Sequence, residues 1–365
     1  MNKEFQLNSI DMATFFIQAT ISLRLVMLPR EIVRYAGTDS WISLLLGSSV
    51  VLVVSYMLWW LGVKFPGKNG SEIVRLVFGK FVGSMGLIAI AIHTIVSLAF
   101  GLRIFAGSIR IYLLPSTPEV IVIGVMLIIS VYAVTKGLKT ITTLINILLP
   151  QVLFFTIFML ILPYKRAEPQ NIYPLFHSGI MDIVKGTLEV VDALYGFTII
   201  AYIMPYFKEP RETKKWIFGG WIITTSIYLG LLLMCIMVLG AEEILWLVHP
   251  VLSLVKSILL KVSIVERAES FLMIGWVISV FIMICLSFFV SYENLKVLFG
   301  VRKLNLFIYG QILFIVGIAF SPQNTAQVQI YSQYIHYLGR VIMLVMVPMT
   351  VGLVLLKGRK KKHAL

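Results

Sequence analysis

The sequence predicts an all-α membrane protein of about ten transmembrane helices, folded as a 5+5 inverted repeat like a transporter, with its first and sixth helices broken. Three observations carry that prediction. The 365 residues are 59% hydrophobic and 13% charged, with a mean hydropathy of +0.94, values that belong to polytopic membrane proteins and not to soluble domains. About ten apolar segments approach the ~20 residues needed to cross the hydrocarbon. Two of them, the first and the sixth, carry polar residues and a proline at similar depth.

In chain order the expected spans are 10–33, 40–63, 81–114, 118–136, 139–163, 183–205, 216–239, 267–292, 304–320 and 337–356. The first apolar run is too long for a cleavable signal peptide and reads as a retained helix. No connection is long enough to fold separately, so 1–365 reads as one membrane domain; the longest, 240–266, is partly amphipathic. In the fifth span Asn146, Pro150 and Gln151 suggest a kink. Ten spans divide into two units of five, about 8–163 and 183–356. Because five is odd, the second copy lies upside down in the bilayer. Secondary transporters use this arrangement, and their sites form where the first helix of each repeat is interrupted. Span one has Thr20, Ser22 and Arg24 ahead of Pro29; span six has Glu189, Asp192, Tyr195, Gly196 and Thr198 ahead of Pro205.

The net charge of +14 is distributed as a membrane protein requires. With a cytoplasmic N-terminus, 19 of the 31 Lys and Arg fall on the inner side, eight on the outer side, and Arg24, Arg103, Arg110 and Arg340 lie within spans. The basic tail, Lys357 and Arg359 to Lys362, then faces the cytoplasm and anionic lipid headgroups, which argues against a nucleic-acid partner. Cys235 and Cys285 both fall inside spans and give neither a disulfide framework nor metal spacing. The chain carries no phosphate-cradling glycine loop and no nucleophile elbow, and its five histidines are scattered, so the expectation is a non-enzyme without cofactor.

A guanidinium inside a span costs several kcal/mol, on the order of 3 or more, unless it is paired or hydrated. Arg24 therefore marks a site. Glu189 and Asp192 are three residues apart and share a helical face. Arg24 is expected to pair with Asp192, or else with Glu189, across the pocket; the alternative is that it snorkels to an interface. On span three His93, Ser97 and Gly101 repeat every four residues along one face, making His93 a candidate contact. Tyr195, Gly196 and Phe197 are candidates for the wall and backbone break of the pocket, and Ser287 with Cys285 gives span eight a small polar face. Arg103 and Arg110 are expected to reach the outer interface, and Glu266, Arg267 and Glu269 to form a structural ion-pair cluster or a subunit contact.

Several stretches resemble the B subunit of the spore-germination receptors of endospore-forming bacteria, within the amino acid–polyamine–organocation transporter superfamily. They are Leu28-Pro29-Arg30, Gly37 with Trp41-Ile42, Phe78-Gly79-Lys80-Phe81-Val82-Gly83, and Phe100 with Arg103. Leu113 to Pro118, Gly196-Phe197, Val265 to Phe271 with Trp276, and Leu298-Phe299-Gly300 complete the set, in order over nearly the whole chain. The resemblance implies a germinant-sensing subunit in the spore inner membrane, with both termini on the core side, working with A and C subunits. It implies an amino acid-like ligand in a midplane pocket between helices 1, 3, 6 and 8, lined by Thr20, Ser22, Arg24, His93, Ser97, Asp192, Tyr195, Gly196, Phe197 and Ser287. The alternative is a proton-coupled transporter of amino acids or polyamines, with Asp192 or His93 moving the proton. Two departures from the family stand out: Ser22 and Arg24 stand where a glycine pair is usual, and Thr198 where a glutamate is common.

Overall fold

A computed structural model describes residues 5–259, 268–300 and 304–362. Among the described residues the chain is helical, with one isolated bridge between Leu7 and Phe207. Six helices are long and apolar enough to cross a membrane, and a bent pair, Ile180–Ala193 with Tyr195–Tyr206, makes a seventh with an angle of 49°. Glu119–Thr135 and Ile308–Phe320 are shorter apolar helices. The molecule is thus a multi-pass membrane protein.

The first span is interrupted where its sequence turns polar. Helix α1 (Asp11–Thr20) stops, Ser22 is extended at φ −140° and ψ −152°, a 3-10 turn covers Leu23–Val26, and α2 (Leu28–Ala36) resumes with Pro29 in its first turn. Helix α3 (Ser40–Lys64) follows. The long α4 (Gly70–Tyr112) starts well before the expected residue 81, because Asn69 and Glu72 form a reciprocal cap. It bends at Gly79, whose φ of +81° is open to glycine. Helices α5 (Glu119–Thr135) and α6 (Leu138–Ile161) lie close to expectation. The helix runs on through Pro150, and the Asn146 side chain donates to Asp11 at 3.1 Å.

The second interruption falls after α7 (Ile180–Ala193): a 3-10 turn, Tyr195–Ile199, leads into the short α8 (Ile200–Ile203). Helix α9 (Thr213–Leu239) is next. The amphipathic connection 240–266 contains two helices, α10 (Ala241–Trp246) and α11 (Pro250–Leu259). Helix α12 (Ala268–Phe299) and α13 (Leu304–Phe320) precede the largest departure from expectation. The tenth segment does not begin at 337. Helix α14 (Thr325–Val341) is capped by Asn324, whose side chain accepts from the Gln327 amide, and passes through a π turn, Ile342–Met346, into α15 (Val347–Lys362). Gln329, Gln333, His336 and Arg340 lower the hydropathy of this stretch, but they follow one helical stripe, along which the first three line a cavity and Arg340 meets Asp192. The proposed Glu266, Arg267 and Glu269 cluster lies outside the residues whose side chains are described.

Candidate functional site

The two helix breaks meet. Thr20 closes α1 by turning its hydroxyl onto its own helix, donating to the Phe16 carbonyl at 2.6 Å, while Tyr228 donates to the Thr20 carbonyl at 2.9 Å. Across from it, Gly196 opens the second break. A Cβ on Gly196 would overlap the Ala19 carbonyl oxygen, so only glycine lets the two backbones approach this closely. A cavity of about 290 Å³ opens beside this junction, lined by the two breaks, α4, α12 and α14.

Eight of the ten predicted residues line the cavity: Ser22, Arg24, His93, Ser97, Asp192, Tyr195, Gly196 and Ser287, with Glu189 and Gly101 beside them. Thr20 and Phe197 do not. Thr20 is wholly buried, its hydroxyl 3.1 Å from that of Thr224. Phe197 is also wholly buried, because a 3-10 turn advances ~120° per residue and carries it off the face that Tyr195 and Gly196 share. Cys285 is buried behind Ser287, its thiol 3.9 Å from the Ser130 carbonyl. Thr198 lines a second, smaller cavity of about 70 Å³. Tyr195 borders both cavities, with its ring centroid 4.2 Å from that of His93.

Arg24 does not pair with Asp192. Its guanidinium lies 2.8 Å from Glu31 and 3.8 Å from Glu189. Asp192 is held instead by Arg340, whose Nε and Nη2 donate to the same carboxylate oxygen at 2.9 and 2.6 Å; Nη2 also reaches Glu189 at 3.2 Å. The expected sharing of a face by Glu189 and Asp192 holds, yet that face meets α14. Arg24 lies past the α1 break, where α2 brings Glu31 alongside seven residues later, two helical turns on. His336, from α14, approaches Arg24 at 3.5 Å. The sequence reading missed Glu31, His336 and Arg340. The seven-residue spacing would have indicated Glu31, and the stripe of α14 the other two, had 325–336 been read as helix. Arg103 is likewise paired, 2.5 Å from Glu119, and the more exposed Arg110 reaches the same carboxylate at 3.8 Å.

Beside the cavity Arg30 of α2 donates to the Leu245 carbonyl at 3.1 Å, and Val248 of the α10–α11 connection lines its wall. His249, 2% exposed, anchors this connection through Ser108 at 2.8 Å. Burial pushes its imidazole down to about 4, with Arg30 adding to the effect. Asn69 donates to Glu293 at 2.9 Å and Ser71 to Asn294 at 2.8 Å, tying the start of α4 to α12. Among the described residues no cluster of His, Cys, Asp and Glu has metal-binding geometry.

Two discontinuous helices meeting at a cavity define a class: a helical membrane protein with a transporter-like fold. Solved structures share it. The nucleobase-cation-symport-1 family transporter Mhp1, closed around bromovinylhydantoin, superposes with a TM-score of 0.70 at 10% identity, over 95% of this chain and 78% of that one. An outward-open, substrate-bound Na+-coupled sialic acid symporter gives 0.62 at 11%, over 93% and 79%. Within that class, the family model described as "Spore germination protein" matches residues 6–328, and the chain belongs to this family. Spore germination protein YndE of Bacillus subtilis is 24% identical over 88% of this chain and 89% of its own length. Spore germination protein A2 of the same organism is 24% identical over 91% of each, and GerQB of Bacillus cereus 22% identical over 92% of each.

Proposed function

We propose that this chain is the germinant-sensing membrane subunit of a spore germination receptor, binding a small molecule of amino-acid size where its two broken helices meet. The observation that carries the reading is that cavity, lined by both helix breaks together with α4, α12 and α14. Its polar groups are concentrated at the helix breaks, as a ligand-reading site needs. Ligand binding shifts the population of arrangements of the two broken helices, by no more than its difference in affinity between them. The shift passes to A and C subunits in the spore inner membrane, with ten spans in two inverted sets of five and both termini on the core side. The protein does no covalent chemistry in this reading and needs no cofactor.

The likeness to symporters supports a second reading, proton-coupled transport of amino acids or polyamines. Spores carrying only this receptor, exposed to a panel of amino acids, amines, sugars and salts, separate the two. The receptor reading expects germination with one class of nutrient and its loss in Ser97→Phe, which fills the cavity. Accumulation of radiolabelled nutrient by the protein alone in proteoliposomes would instead establish the transporter.

A further inference from the structure

The connection between α6 and α7 is apolar where a loop in water is polar. From Pro169 to Met181 it carries no Asp, Glu, Lys or Arg, although Lys165, Arg166 and Glu168 precede it and Asp182 and Lys185 follow. Within it Tyr173, Phe176, Ile180 and Met181 are 66% to 84% exposed. Single exposed apolar side chains are ordinary, but a run of them forms a patch that marks contact with a membrane or another protein.

The same stretch is held in one shape by buried partners. Asp39, wholly buried in the turn between α2 and α3, accepts from the amides of Phe176, His177 and Ser178 at 2.6, 2.8 and 2.9 Å. The imidazole Nδ1 of His177 lies 3.0 Å from the same carboxylate. Thr38 donates to the Pro174 carbonyl at 2.5 Å, Ser178 to the Ala36 carbonyl at 2.9 Å, and the Asn171 side chain to the Met237 carbonyl at 3.0 Å. These bonds hold Phe176 at φ +57°, a left-handed conformation that a bulky residue avoids. Its ring stands outward, edge-on to Trp41 at 6.0 Å. Backbone polar groups satisfied within the protein are what a loop needs before it can leave water.

We propose that residues 173–181 form an interfacial anchor. The loop lies in the headgroup layer of the bilayer, Tyr173, Phe176, Ile180 and Met181 reach the acyl boundary, and Asp39 positions them. Lipid fits this patch better than a partner protein does. The loop joins two spans, α6 and the bent pair that begins with α7, so it starts and ends at the membrane surface. Tyrosine and tryptophan are the residue types that settle there, and lipid is present at that level in every state of the chain. The loop runs directly into α7, which carries Glu189 and Asp192 to the cavity wall. The anchor thus ties the start of the broken sixth span to the bilayer and, through Asp39, to the α2–α3 turn.

The test places a nitroxide on Phe176→Cys or Met181→Cys, in the full chain with Cys235 and Cys285 replaced by alanine, reconstituted alone in phosphatidylcholine–phosphatidylglycerol vesicles. Collisions with oxygen and with a water-soluble nickel chelate report depth. The oxygen-to-nickel ratio at both sites is expected to exceed that of a label on the exposed Glu212→Cys by at least about fivefold, the contrast between acyl boundary and water. Asp39→Ala is expected to lower the ratio at Phe176→Cys by at least about threefold, while a label on Phe154→Cys of α6 keeps its value. Asp39→Asn serves the same purpose should Asp39→Ala fail to accumulate. A ratio at positions 176 and 181 equal to that at 212 puts the loop in water and overturns the anchor. Labels shielded from both reagents overturn it too, because protein and not lipid then covers the patch. A ratio at 176 that the Asp39 substitution leaves unchanged overturns the positioning role of Asp39.

Discussion

Replacing Asp192 by alanine leaves Arg340 buried beside the remaining arginine of the network with half of its partners gone. Asp192 has a side-chain exposure of 2% and accepts two charged hydrogen bonds, at 2.9 and 2.6 Å. Breaking one partner of a buried ion pair costs about 3–5 kcal/mol. Glu189 still holds Arg340 at 3.2 Å, so the lower end, about 3 kcal/mol, is expected for Asp192→Ala. Arg340→Met removes the stranded charge, and the double variant should recover about 2 kcal/mol relative to the sum of the singles. Arg24→Met combined with Asp192→Ala should couple more weakly, by less than about 1 kcal/mol, because Glu31 and not Asp192 holds Arg24. Reversible unfolding in mixed micelles titrated with dodecyl sulfate, followed by tryptophan fluorescence, gives the four free energies of each cycle. A coupling of Asp192 to Arg24 that equals or exceeds its coupling to Arg340 would refute the assignment of partners.

Gly196→Ala should cost more than about 3 kcal/mol or prevent accumulation, since its Cβ meets backbone and not a movable side chain. Gly101→Ala, whose Cβ would sit 3.4 Å from a Leu23 methyl, should stay within about 1 kcal/mol of the parent in the same unfolding assay; equal losses at the two glycines would contradict the contact between the helix breaks. His249 is buried neutral, its value lowered from 6.5 to about 4, so the unfolded chain binds more protons between those pH values. Stability from this residue is fully present above pH 6.5 and is lost as pH falls toward 4, by at most about 3 kcal/mol. The slope should vanish in His249→Phe, and a slope that survives the substitution would assign the effect to other groups.

The breaks in the first and sixth spans were legible because polar residues and prolines interrupt an otherwise apolar run, a local property of the chain. The pocket-facing stripe His93, Ser97 and Gly101 was legible for the same reason, since helical periodicity is also local. Where the reading failed, competing local signals concealed a tertiary fact. The residues 325–336 are polar for a membrane span, yet Gln329, Ser332, Gln333 and His336 line the cavity. Phe197 looked like part of a pocket because it follows Gly196, but the pitch of the 3-10 turn directs it into the core.

Composition and pattern alone determined that this is a helical membrane protein, where its helices break, and that a charge within the first break needs a partner. They did not determine which partner. Arg340 and Asp192 are 148 residues apart, and their meeting depends on how α14 packs against α7. Arg24 pairs within its own span, because a break and a turn bring Glu31 beside it before any other carboxylate comes closer. Burial raises the cost of an unpaired charge for every member of the network alike, so energy demands pairing, and only geometry chooses the pairs.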